Sequence, residues 1–162
     1  MTGNYRLLRL VAPALGVLAL LLAGCGGKPT RPDPATARSA NDVLMRAIGL
    51  VGTPYRYGGN TPAGGFDCSG LIGFVFRDSV GMSLPRTTGE LSALKVPKVK
   101  ADRLTPGDLV FFGGRSGINH AGIYVGDGRF VHAPSSGGTV RLDALSARYW
   151  QERFAFGRRV LR

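Results

Sequence analysis

Apolar positions change their spacing three times along this chain of 162 residues. Behind Arg6 and Arg9 comes an apolar run, residues 11–24, rich in small side chains and short for a membrane span. Residues 26–39, GGKPTRPDPATARS, have no apolar period. Val43, Leu44, Ala47, Ile48 and Val51 then recur at helical spacing until Gly52 and Pro54, so a first helix is predicted from near Asn41. After a glycine-rich loop, PYRYGGNTPAGG, the stretch FDCSGLIGFVFRDSVG predicts a second helix. Asp67 is a good N-cap, Phe66 and Leu71 are spaced as a hydrophobic staple, and Leu71, Ile72, Val75 and Phe76 form a buried face ahead of Gly81. LPRTTGELSALK predicts a short helix capped by Thr87 or Thr88. Beyond it the period falls to two: DLVFFG, HAGIYVG, RFVHA, TVRLD and FAFGRRVL are predicted strands, with a last short helix in LSARYWQERF. Helices first and antiparallel strands after them make the class α+β, with the N-terminal helices packed on one face of a bent antiparallel sheet.

The N-terminal run ends in LAGC, residues 22–25, which resembles a bacterial lipobox: the signal is removed ahead of the cysteine and the sulfur is acylated. Gly26 in the next position resembles the outer-membrane type of lipoprotein. The expected organisation is a signal peptide over 1–24, a lipidated flexible tether over 25–40 that joins the domain to the membrane, and one domain over 41–162. Losing residues 1–24 leaves 138 residues and takes the formal charge from +11 to +9. Such a basic domain suits an anionic membrane or wall polymer, and export argues against nucleic acid as partner.

Cysteine usage changes the picture more than charge does. The chain has two cysteines, and with lipid on Cys25 the other, Cys68, is a lone thiol in a compartment that favours disulfides. Such a thiol is either buried and inert or kept for its reactivity. On the predicted helix Cys68 is the first residue, facing the positive end of the helix dipole. Asp67 beside it works against a thiolate unless its carboxylate is occupied in capping. A nearby imidazole would decide the matter, and the chain has two, His120 and His132, in the hairpin pattern INHAGIYVGDGRFVHAP. A two-residue turn at Asp127–Gly128 would pair Val125 with Phe130 and point the two histidines to opposite faces. A three-residue loop with Gly128 as a bulge would pair Gly122 with His132 and bring both to one face.

Together the three residues could serve as nucleophile, proton carrier and orienting group of a cysteine peptidase, with His132 a neutral acceptor toward His120. The backbone N–H of Cys68 and the phenol of Tyr55 are the candidate oxyanion donors. A zinc site stays open on residue type alone, but no fourth ligand or paired-cysteine spacing accompanies it, so no metal and no cofactor is expected. An ordinary imidazole would place the loss of activity on acidification between pH 5 and 8.

YRYGG, FDCSGL, LPRTT, LTPGDLVFF and NHAGIYVGDGRFVHA stand in the order and rough spacing of the NlpC-type cell-wall peptidases, and the chain resembles that family over all of 41–162. The resemblance implies a papain-like fold and cleavage of peptide stems in peptidoglycan. It implies Cys68 as nucleophile, His120 as base, His132 as orienting residue, Tyr55 near the oxyanion and Ser69 as a site-shaping hydrogen bonder. The expected activity is an endopeptidase acting at a bond to diaminopimelate through a cysteine acyl-enzyme, the D-alanyl crosslink ranked ahead of the D-glutamyl bond. The expected location is the inner face of the outer membrane, by lipid anchor. An amidase or acyltransferase on the same scaffold, and a non-catalytic envelope adaptor, stay open as alternatives.

Overall fold

The structure, a computed structural model, describes residues 33–136 and 138–161. The leader, Cys25 and the first part of the tether lie outside the described residues. Helix α1, Pro34–Ile48, begins seven residues before the start expected at Asn41. Its physical cause is an N-terminal signal in the stretch read as tether: the Asp33 side chain accepts from the N–H groups of Ala35 and Thr36, and Pro34 occupies the first turn, where its missing N–H costs nothing. Residues 34–40 are therefore helical. Val43 and Ala47 bury the inner face of α1.

Helix α2, Cys68–Val80, has Asp67 as N-cap and ends at Gly81, whose left-handed backbone (φ 66°) suits glycine. Leu71, Ile72, Val75 and Phe76 are fully buried, as their spacing predicts. Helix α3, Thr88–Ser92, is closed by a reciprocal capping box between Thr87 and Glu90. A two-stranded ribbon, β1 (Asn60–Thr61) with β2 (Gly65–Phe66), precedes α2 and went unseen in the sequence because two-residue strands have no period.

The main sheet is antiparallel, formed by β3 (Lys98–Val99), β4 (Leu109–Gly114), β5 (Gly117–Gly126), β6 (Arg129–His132), β7 (Arg141–Ala144) and β8 (Phe154–Arg158). Their spatial order is β3-β8-β4-β5-β6-β7, so the last strand inserts between the first two. On one face Leu109, Phe111, Ala121, Ile123 and Val131 pack with residues of α1 and α2 in the main core. The N-terminal helices thus lie on one face, as expected, and the other face is covered as well: Trp150, on the single-turn helix α4 (Arg148–Gln151), closes a second cluster over Val110, Phe112 and Phe130.

The β5–β6 hairpin combines features that were expected to exclude each other. Its turn is the two-residue type, Asp127 and Gly128 both with positive φ (49° and 68°), pairing Gly126 with Arg129. The register then slips by one residue, so Tyr124 faces Phe130 and Ile123 faces Val131. This bulge undoes the flip that the tight turn would impose. A three-residue loop is thus not required to bring the histidines together. Continuing the register sets Gly122 opposite His132. A side chain at Gly122 would lie 2.8 Å from the Phe130 ring and 3.2 Å from His132 Cβ, so glycine is what lets the hairpin close at this point.

Candidate active site

The first turn of α2 is held by its cap. Asp67 Oδ1 accepts from the Gly70 N–H at 2.6 Å and from the Ser69 hydroxyl at 3.1 Å, and Oδ2 accepts from the Gly58 N–H at 3.0 Å. Arg86 grips both oxygens, at 2.9 and 2.8 Å, and donates to Ser69 Oγ at 2.8 Å. Burial works to raise the Asp67 pKa, but the bonds from Arg86, Gly70 and Ser69 and the Arg86 charge outweigh it and hold the carboxyl below its ordinary value. The negative charge beside Cys68 is thus spent on the cap and on Arg86. Gly70 lets this turn approach the preceding loop; a β-carbon there would collide with the Gly59 carbonyl oxygen.

Cys68 is half-buried and free, its sulfur 3.2 Å from Thr88 Oγ1 at the start of α3. The N–H groups of Cys68 and Ser69 occupy the first two helical positions and have no intrahelical acceptor. Tyr55 lines the same cleft, and burial, followed by the neighbouring Cys68 and Asp67, raises its pKa, which keeps the phenol a hydrogen-bond donor at neutral pH.

His120 and His132 share a face, with His120 Nε2 2.9 Å from His132 Nδ1. The chain of bonds continues to a residue that sequence reasoning missed: His132 Nε2 lies 3.0 Å from Asp143 Oδ2. That one oxygen also accepts from Trp150 Nε1 at 2.8 Å and from Arg141 Nε and Nη2 at 3.1 and 2.8 Å. A carboxylate only accepts, so His132 donates from Nε2 and its Nδ1 is a lone pair. His120 must then donate from Nε2, which leaves its Nδ1 as the basic nitrogen. Asp143 thereby sets the tautomers of both rings.

The rings stand among aromatic side chains. His120 stacks on Trp150 at 5.4 Å and His132 on Phe130 at 4.7 Å. Burial disfavours both imidazolium forms. His120 is pushed down to about 3, by burial first and then by His132 and Arg141; His132 is pushed down to about 4 by burial, against the pull of Asp143. Both rings are neutral at pH 7, and the His132–Asp143 contact is a hydrogen bond rather than an ion pair.

A cleft of about 730 Å³ gathers Tyr55, Asp67, Cys68, Ser69, Arg86, Thr88 and His120 in its walls. Of the candidate site residues named from the sequence, Tyr55, Asp67, Cys68, Ser69 and His120 line this space, and the fully buried His132 touches His120 behind it. Missed were Arg86, Thr88 and Asp143. The first two stand in LPRTT, where charge and hydroxyl are visible but their aim is not; Asp143, eleven residues past His132, gave no signal beyond its alternation in TVRLD.

Comparison with known proteins shows which family the chain resembles. A model of the NlpC/P60 family matches residues 52–159. The protein named "Probable endopeptidase NlpC" from Escherichia coli (strain K12) is 40% identical over 153 residues, 89% of this chain and 96% of that protein. Murein DD-endopeptidase MepH of the same strain is 39% identical over 131 residues, 78% of this chain, and the chain spans about half of it, 48%. Among solved structures, the peptidoglycan hydrolase RipB of Mycobacterium tuberculosis superposes with a TM-score of 0.68 at 28% identity, over 82% of this chain and 69% of that one. With its papain-like α+β fold and a family match across most of its length, the chain belongs to the NlpC/P60 family.

Proposed function

We propose that the protein is a peptidoglycan endopeptidase, a thiol hydrolase that cuts a peptide bond to diaminopimelate through a cysteine acyl-enzyme. The observation that carries this reading is a helix-terminal thiol sharing a cleft with a histidine whose tautomer is set from behind. His120 Nδ1 takes the Cys68 proton as Sγ attacks the carbonyl carbon. The N–H of Cys68 and the Tyr55 hydroxyl stabilise the oxyanion. His120 returns the proton to the departing amine, leaving a thioester on Cys68, and then activates the water that hydrolyses it. His132 accepts the His120 N–H throughout and steadies the transient imidazolium.

The bond proposed is the D-alanyl–diaminopimelate crosslink, in line with the DD-endopeptidase activity that MepH is named for. Digestion of purified sacculi by the protein and its Cys68→Ala variant, with mass spectrometry of the released peptides, tests activity, nucleophile and bond together. Crosslinked dimers converted to monomers are the expected product; sacculi left intact by the wild type would overturn the proposal.

The reading includes lipid on Cys25 and a place at the inner face of the outer membrane, supported by the charged start, the apolar run and LAGC. Cys25→Ala is expected to move the protein from the membrane to the soluble fraction of the envelope. An unchanged distribution would count against the anchor.

The relay also fixes what Asp143 must supply. If its task is to accept from His132, Asp143→Asn keeps that bond through the amide oxygen, since the same atom also receives Trp150 and Arg141, and kcat should stay within about tenfold of wild type. Asp143→Leu removes the acceptor, frees the tautomers and should lower kcat by about a hundredfold. Equal losses in the two variants, each checked for folding by circular dichroism, would contradict the tautomer account.

A further inference from the structure

His120 borders two clefts. Beyond the one it shares with Cys68 lies a larger cleft of about 1120 Å³, reached past Asn119 and His120, which line both. Among the described residues its walls carry two arginines, and their commitments differ. Arg141 is bound through Nε and Nη2 to Asp143, and Asp143 is in turn occupied by His132 and Trp150. Arg153 lies with its guanidinium carbon 3.9 Å from the Tyr149 ring centroid and gives one bond, from Nη1 to the Tyr149 carbonyl oxygen at 3.1 Å. Its nearest carboxylate, Glu152, is 4.0 Å away through Oε2, while Glu152 Oε1 is held by Arg148 at 2.8 Å. Among the described residues, the less committed positive charge of this cleft is therefore Arg153, a planar donor already stacked on a ring, with one N–H hydrogen-bonded and only a 4.0 Å ion pair to Glu152.

The direction of the chemistry assigns the cleft its ligand. In acyl transfer the departing amine receives its proton from the base, so the peptide carrying that amine extends on the far side of His120 from the thiol. We infer that the larger cleft holds the leaving peptide and that Arg153 recognises the diaminopimelate carboxylate next to the amine that leaves. A fork of N–H donors matches a carboxylate, and the loosely placed Glu152 presents little competition for it. Arg153 then acts as a specificity residue: it separates leaving peptides with a free carboxylate from those in which the group is amidated. This inference rests on the crosslink reading given above.

The test compares two crosslinked muropeptide dimers that differ only in whether the acceptor diaminopimelate carboxylate is free or amidated. Wild type should favour the free carboxylate in kcat/KM by about tenfold, the scale of one charge-assisted hydrogen-bond pair. In Arg153→Ala that ratio should fall to near one, and Arg153→Lys should restore part of it. A preference that survives in Arg153→Ala, a wild type with no preference, or an equal loss on both substrates in Arg153→Ala would each overturn the assignment. Failure of wild type to cut either dimer would overturn the crosslink reading itself, which keeps the two outcomes apart.

Discussion

Cys68→Ala is expected to abolish release of peptides from purified sacculi, lowering kcat by about a millionfold, the scale seen when the nucleophile of a coupled catalytic unit is removed. The reason is that, among the described residues, Cys68 supplies the only thiol in the cleft. The Thr88 hydroxyl stands 3.2 Å from the sulfur, but it is an unactivated alcohol. The substitution should leave the fold intact, since alanine is a good helix former and the cap on Asp67 is made by Gly70, Ser69, Gly58 and Arg86. Circular dichroism and urea unfolding should match wild type. A well-folded variant that still cleaves at more than a few per cent of the wild-type rate would rule out the covalent mechanism.

His120→Ala is expected to cost about as much, because nucleophile and base act as one unit. The accompanying pH dependence is more telling. The working form of His120 is neutral, so activity is full on the alkaline side and is lost as pH falls through the folded pKa of the imidazole. Burial, His132 and Arg141 all lower that pKa, to about 3, so the acid limb of kcat/KM should have its midpoint below 6.5, the ordinary imidazole value. The limb that an ordinary imidazole would place between pH 5 and 8 is thereby moved to lower pH. Arg141 depresses both histidines through its charge. Arg141→Ala should therefore shift the limb upward, toward 6.5, with fold and nucleophile untouched. A limb that stays in place or moves lower in this variant would show that the histidine pair does not carry the proton.

Much of the fold could be read along the chain because local signals and packing agree. Asp67, the apolar face of α2 and Gly81 bound one helix, and alternation marked five strands within a residue or two, apart from β5, which starts three residues early, and β8, which ends three residues short. Where local reading erred, the signal was present but outweighed. Asp33 and Pro34 form a helix start inside a stretch whose composition resembles a tether. Trp150 does lie in the short helix expected near the end of the chain, but that it closes a second core and donates to Asp143 had no local signal.

By itself the sequence determined the chemistry on offer: one thiol at a helix start, two imidazoles two strands' reach apart, and a family likeness across five motif blocks. These are properties of residue type and short-range spacing, which the chain carries without folding. Whether the histidines share a face was left undetermined, because a two-residue hairpin turn and a one-residue bulge shift the register in opposite senses and neither excludes the other. Only the tertiary structure decided it, by placing the bulge between Tyr124 and Gly126 so that His120 and His132 meet at 2.9 Å. It alone brought in Arg86 and Asp143, whose partners lie 19 and 11 residues away, since the direction of a side chain across strands is set by packing and register rather than by its neighbours in sequence.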